Sequence, residues 1–176
     1  PYTGGKSESR PRFSPDGAAV AFLRPDDGGL KQLWLISTSG GEARQLTSIP
    51  GGVAEFAWSP DSLSLVLVSD VDPDRPPDGQ KVGKVPAPRV ARRIRYRVDS
   101  VGWRGDAFRH LFLVDRDEGK VRQLTDGEGD DGLPTWSPDG RRIAFVSDRR
   151  PDRDLVSHTE AYVVPASGGE PRRWSQ

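Results

Sequence analysis

Arg12-Phe13-Ser14-Pro15-Asp16-Gly17 returns twice along the chain, as Ala57-Trp58-Ser59-Pro60-Asp61-Ser62 and as Thr135-Trp136-Ser137-Pro138-Asp139-Gly140. Six residues after each Ser an apolar run begins: Val20 to Leu23, Leu65 to Val68 and Ile143 to Val146. A second phrase lies between the copies. Leu33-Trp34-Leu35 leads to Gln45-Leu46-Thr47, Leu111-Phe112-Leu113 to Gln123-Leu124-Thr125, and Ala161-Tyr162-Val163 to Arg173-Trp174-Ser175. The gap from the closing Thr to the next Ser is twelve residues both times, Thr47 to Ser59 and Thr125 to Ser137. Two registers held together mark an internal repeat. The first two copies lie 45 residues apart, the length of a four-stranded propeller blade. The second and third lie 78 apart, and the extra 33 residues form one insertion inside the middle blade, at about 71–106.

This pattern predicts an all-β chain, a β-propeller segment of about three four-stranded blades forming an open arc, with blades at 1–47, 48–125 and 126–176. The repeated phrase has the chemistry of a hairpin corner. Ser can bond nearby backbone, Pro presets φ, Asp tolerates the third position, and Gly takes a left-handed exit into the next strand. The middle copy places Ser62 at that exit, at a cost of about 1 kcal/mol if the left-handed φ is kept. Phe13, Trp58 and Trp136 are spaced to pack between neighbouring blades. The runs that follow the corner are apolar at every position, which predicts inner strands covered on both faces.

Composition narrows the function classes. Twenty Gly and sixteen Pro supply many turns, and no stretch approaches the roughly 18 apolar residues of a membrane helix. With 26 basic and 26 acidic residues the formal charge is zero, so no global field draws nucleic acid or anionic lipid. The lack of Cys removes disulfides, thiolate metal sites and thiol nucleophiles. It fits a reducing compartment, so a cytoplasmic location is expected. Tyr2-Thr3 stands where the closing Thr of a preceding blade would fall, and the chain ends before a fourth Ser-Pro-Asp. The expectation is a piece of a longer protein whose open blade faces favour self-association, since closed propellers take four to eight blades.

The repeat resembles the Asp-containing propeller repeats of TolB-like proteins and of the prolyl oligopeptidase family of serine peptidases. Within the insertion, Ala91-Arg92-Arg93-Ile94-Arg95-Tyr96-Arg97-Val98-Asp99-Ser100-Val101-Gly102-Trp103, followed by His110-Leu111-Phe112-Leu113-Val114-Asp115, resembles the corresponding segment of acylaminoacyl-peptidase-like members. The resemblance implies a propeller that caps an α/β-hydrolase domain, its partner, and restricts access to short peptides. The alternative it implies is a TolB-like scaffold whose propeller is itself the binding surface. No G-x-S-x-G occurs in the chain, so no nucleophile elbow can be placed and no catalytic residue is expected here. No cofactor and no metal is expected either.

One constellation carries binding potential. Arg93, Arg95 and Arg97 alternate with Ile94, Tyr96 and Val98, so a β-strand would set three guanidinium groups on one face. Guanidinium forks suit carboxylates, which makes these three residues the candidate substrate-binding group for a peptide C-terminus. The plainer reading pairs them with Asp72, Asp74 and Asp78 or leaves them in water. Arg89 and Arg92 lie just upstream. The acidic run with Asp126, Glu128, Asp130 and Asp131 invites a calcium site but lacks its spacing, and a solvated turn is expected. His110 and His158, the two histidines, read as a strand residue and a loop residue. The Pro-rich loop at 73–88 is expected to lack regular structure.

Overall fold

The computed structural model describes residues 7–73, 90, 92–99, 102–156 and 158–174. Tyr2-Thr3, Asp74, Asp78, Arg89, Ser175 and nearly all of the Pro-rich loop lie outside the described residues. Three four-stranded antiparallel sheets follow one another and form the open arc of propeller blades. The first blade is β1 (Ser9–Phe13), β2 (Ala19–Pro25), β3 (Lys31–Ser37) and β4 (Arg44–Gln45), ordered as in the chain. In the second, β5 (Glu55–Trp58) and β6 (Ser64–Val71) are followed by a small hairpin, β7 (Arg97–Val98) and β8 (Gly102–Trp103). β9 (Phe108–Asp115) and β10 (Val121–Gln123) then complete the sheet, so the insertion opens between two paired neighbours, β6 and β9. The third blade is β11 (Gly132–Trp136), β12 (Arg142–Ser147), β13 (Glu160–Pro165) and β14 (Arg172–Arg173).

The apolar run of the middle blade lies between two blades, as expected of all three; among the described residues the first and third runs meet a neighbouring blade on one face only. Along β6, Leu65 and Leu67 belong to one buried cluster with Ala21, Leu23, Leu33, Leu35 and Leu46 of the first blade. Val66 and Val68 belong to a second, with Ile143, Phe145, Tyr162 and Val164 of the third. All four β6 residues are 0% exposed. The corner aromatics stitch the same seams: Trp58 donates its Nε1–H to Arg12 O and Trp136 to Ala57 O, each at 3.2 Å.

Each Ser-Pro-Asp corner is one hydrogen-bonded unit. Ser14 Oγ donates to Asp16 Oδ1 at 2.5 Å and accepts the Ala19 N–H at 3.0 Å, while Asp16 Oδ1 also accepts the Ala18 N–H at 2.9 Å. The same bonds recur around Ser59 and Asp61 and around Ser137 and Asp139. Asp therefore does more than tolerate the turn: it holds the Ser hydroxyl and the incoming strand together. The exits are left-handed, with φ of 69° at Gly17 and Gly140 and 64° at Ser62. Ser62 offsets its strain with a bond that Gly lacks, since its buried Oγ accepts the Asp16 N–H of the first blade's corner at 3.0 Å.

These corners make stability depend on pH. The Ser14 hydroxyl first, then the Ala18 N–H and Arg116, hold Asp16 at about 2, below its ordinary 3.8. Asp61 and Asp139 are likewise lowered, first by Ser59 and Ser137 and then by backbone N–H groups. A lowered carboxylate stabilises the fold above its unfolded value, and that contribution is lost as pH falls through the folded one. Urea midpoints are expected to hold steady down to about pH 5 and to fall between about pH 4 and pH 2. Ser14→Ala should lower the midpoint near neutrality and flatten the acid limb, so that the two curves converge in acid. Parallel curves would show that the corner bonds do not carry the effect.

Candidate functional site

Three connections meet at one end of the arc: the insertion, the β10–β11 loop and the β12–β13 loop. Their charged side chains are arranged in pairs. Arg104 of the insertion donates to Asp70 at 2.9 Å and to both oxygens of Asp130 at 3.0 and 2.8 Å. Burial pushes Asp130 up, but the hydrogen bond and charge of Arg104 outweigh it and hold the carboxyl below its usual range. Asp131, 1% exposed, takes two bonds at 2.9 Å from Arg149 and one at 2.5 Å from the Thr125 hydroxyl. Glu128 accepts from Arg153. The acidic run is thus not simply a solvated turn: Asp130 and Asp131 face inward and anchor the loop to blades two and three, while Asp126 and Glu128 stay exposed. Among the described residues no group of three His, Asp or Glu side chains is placed to hold a metal ion.

The expected arginine strand does not form. Residues 93–96 make a bend and turn, and only Arg97–Val98 pairs as strand, with Gly102–Trp103. A strand needs a ladder along its length, and the hairpin closes early because Tyr96 O accepts the N–H groups of Arg104 and Gly105 at 2.8 and 3.2 Å. The three guanidinium groups accordingly do different things. Arg93 forks onto Asp154, Nε and Nη2 at 3.3 and 2.9 Å, gives Nη1 to Ala107 O at 3.1 Å, and lies over the Phe108 ring at 4.0 Å. Arg95 gives its Nε to Asp154 O at 3.2 Å, and Arg97 is exposed. The acidic partner is Asp154, 61 residues away in the next blade, and not the nearby Asp72. Arg93 first, against a smaller push from burial, keeps Asp154 below the usual carboxylate range.

Beside this pair lies a cavity of about 500 Å³ between blades two and three, walled by Phe108, Arg92, Arg93, Arg153, Asp106 and His110. His110 is 4% exposed and its Nδ1 stands 3.5 Å from Asp131 Oδ2, too far for a hydrogen bond. Among the described residues no hydroxyl is bonded to this His, so a base and an acid stand together with no nucleophile between them. His158 lies 3.5 Å from Glu160 at the surface. The arrangement can bind and position. Sequence reasoning did not single out Arg104, Phe108, Arg153 or Asp154. Each works through a partner in another connection, and spacing along the chain carries no trace of that.

A family model described as "Dipeptidyl peptidase IV (DPP IV) N-terminal region" matches residues 94–150. The uncharacterized peptidase YuxL of Bacillus subtilis is 36% identical over 167 residues, 93% of this chain and 25% of that protein. The TolB homolog of Chlorobium luteolum is 27% identical over 92% of this chain and 37% of its own length. Among solved structures, an acylaminoacyl peptidase in complex with Z-Gly-Gly-Phe-chloromethyl ketone superposes with a TM-score of 0.71 at 17% identity, over 96% of this chain and 25% of that one. The chain therefore spans about a quarter of the length of the peptidase it matches. At that identity the solved structure speaks for the fold alone.

The Arg93–Asp154 fork ties the insertion to the third blade, and both side chains are mostly buried, at 12% and 20% exposure. Asp154→Asn is expected to lower stability by roughly 1–3 kcal/mol, and Arg93→Lys should not restore it, because a point charge cannot make two parallel bonds. Arg97→Gln, at an exposed position, should change stability by no more than about 0.5 kcal/mol. Urea unfolding of the three variants checks the order; equal effects would remove the fork's structural role.

Proposed function

We propose that this partial β-propeller, which resembles the propellers of prolyl oligopeptidase-family peptidases, is the non-catalytic part of a serine oligopeptidase of acylaminoacyl-peptidase-like type. In this reading the arc caps an α/β-hydrolase domain that supplies the nucleophile, base and orienting acid. It admits short peptides and excludes folded proteins by size. The observation that carries the proposal is the likeness to the YuxL peptidase over 93% of the chain. Its support in the molecule is the pairing of the polar groups at the insertion end with one another, which suits a scaffold. A cytoplasmic setting belongs to the same proposal and rests on the cysteine-free composition.

A second reading is favoured by the TolB match, which covers nearly as much of the chain. There the propeller itself is the working surface and binds protein partners. The two separate on one property of the complete protein: hydrolysis of short peptides blocked by a serine-directed inhibitor, with no attack on folded proteins, belongs to the first alone.

Of the three candidate arginines, Arg95 and Arg97 remain suited to recruit a substrate carboxylate, since the carboxylate of Asp154 is already held by Arg93. In the complete enzyme, Arg95→Gln with Arg97→Gln is expected to raise KM several-fold for peptides with a free C-terminus and less for their amides, because the amides offer no carboxylate. Equal changes for both substrates would end that role. The 176-residue chain alone is expected to leave acyl-peptide and aminoacyl chromogenic substrates untouched. Turnover by this chain, abolished by a serine-directed inhibitor, would place the active site within it and overturn the proposal.

A further inference from the structure

Most polar groups at the insertion end are paired, and the repeat explains why a few are not. Gln32, His110 and Glu160 hold one position, each just before the third-strand phrase of its blade. In blade one the buried Gln32 closes the blade: its Oε1 accepts the Thr47 hydroxyl and the Ile49 N–H at 3.0 Å, and its Nε2 donates to Ile49 O at 2.9 Å. In blade three Glu160 accepts from Tyr162 and Arg173 at 3.2 and 3.1 Å. Blade two closes differently. Asp131 stands six residues after Thr125, where blade one has Val53 after Thr47. The backbone agrees, since Val53 N–H donates to Lys31 O and Asp131 N–H to Arg109 O. Asp131 accepts the Thr125 hydroxyl at 2.5 Å, which is the task of Gln32 in blade one. His110 is thereby released from it.

The released side chain is buried, and its Nδ1 has no hydrogen-bond partner. Asp131 Oδ2 stands 3.5 Å from that nitrogen. A carboxylate so placed disfavours a bare lone pair, so the neutral ring carries its proton on Nδ1 and keeps Nε2 as an acceptor. His110 lines the cavity of about 500 Å³ between blades two and three, a size within the roughly 300–1,000 Å³ of small-molecule sites. Two more buried atoms on its walls lack partners. Asp106 gives Oδ2 to Arg92 and leaves Oδ1 empty. Arg153 gives Nη1 to Arg150 O and Nη2 to the exposed Glu128, and leaves Nε empty. Buried polar atoms are costly to leave unpaired. Among the described lining residues Arg92, Arg93 and Arg153 balance Asp106, Glu128 and Asp154, so the walls carry no net charge, and Val71 and Phe108 add apolar surface.

We infer that this cavity binds a small zwitterion of the α-amino-acid class with an apolar side chain. The ammonium group donates to Asp106 Oδ1 and His110 Nε2, the carboxylate accepts from Arg153 Nε, and the side chain lies against Val71 and Phe108. Walls without net charge suit a ligand without net charge, and a lone cation or anion would leave either Arg153 or Asp106 unmet. Nε and Nη2 are the edge with which Arg93 grips Asp154. On Arg153 the exposed Glu128 fills only the Nη2 half of that edge, so a ligand carboxylate can complete the fork. The site rests on the blade repeat and not on the peptidase reading, which is tested by turnover, so either can fail without the other.

Titration calorimetry on the complete protein tests this with leucine, with leucinamide, which lacks the carboxylate, and with N-acetylleucine, which lacks the ammonium group. Leucine is expected to bind, and both analogues to bind at least about tenfold more weakly, as the loss of a charge-assisted hydrogen bond implies. His110→Gln, which restores the blade-one residue, and Asp106→Asn should each weaken leucine binding by at least about tenfold, with thermal unfolding verifying that both variants fold. The analogues probe the same groups without altering the protein, so a variant that fails to fold leaves the test standing. Absence of leucine binding up to its solubility limit would overturn the proposal and leave the cavity to solvent. Analogues that bind as well as leucine, or folded variants that bind it unchanged, would overturn it equally.

Discussion

β6 is apolar toward both of its neighbours, and the arc follows from that. Leu65 and Leu67 cannot be buried without a sheet on one side, nor Val66 and Val68 without a sheet on the other. A strand of this kind is unstable in an isolated blade, because burying a side chain of this size is worth about 1.5–3 kcal/mol and half of that burial would be lost. The same fact removes a safeguard that most sheets have. Where one face is polar, a one-residue slip of register exposes the core; here a slip would exchange Leu for Val and leave both faces apolar. Register must therefore be fixed elsewhere. The Ser-Asp corners do it, since each Ser binds the residue five positions on through both backbone and hydroxyl.

The insertion shows how tolerant this plan is. Its ends leave the sheet at Val71 and rejoin it at Phe108, which are paired across β6 and β9, so the strands meet as they would around a short turn. Closing a longer loop between paired ends costs little extra, about 0.6 kcal/mol for each doubling in length. What the longer loop needs is an anchor. Arg104 supplies one by joining Asp70 at the end of β6 to Asp130 in the next connection, and Arg93 supplies another by reaching Asp154. Of the three arginines that looked available for substrate in the sequence, Arg93 is taken up in fastening the insertion to its neighbour, while Arg95 and Arg97 stay exposed.

Legibility followed locality. The corners, the seam aromatics and the inner strands repeat within a blade, and the periodicity of Ser14, Ser59 and Ser137 exposes them. The role of the closing Thr is equally local but has no familiar signature. Thr47 accepts the Leu33 N–H at 2.9 Å and Thr125 the Leu111 N–H at 2.8 Å, each supplying the outer ladder with a side-chain bond. The close approach at Gly51 was hidden for another reason: a Cβ there would stand 1.9 Å from Asp70 O, a contact between a connection and a strand end that spacing does not record. The arginine alternation misled because period two describes a strand only where a partner strand exists. After Tyr96 O turns to Arg104 and Gly105, residues 93–96 have no partner strand among the described residues.

These constraints bear on why one arc is shared by peptidase and TolB propellers. Fold does not fix function, and here the residues that the fold consumes are the ones the sequence makes conspicuous: Ser and Asp at corners, Thr at closures, Arg and Asp at anchors. What remains free to specialise is whatever the seams do not use, namely the connection ends and the outermost faces. The ends differ between blades, with a short turn at Asp26 in blade one, the insertion in blade two and the loop carrying Asp154 in blade three. The faces stay nearly constant, because each must fit the next. A propeller of this repeat therefore evolves its chemistry along the rim and its assembly through the faces, and a single substitution will seldom alter both.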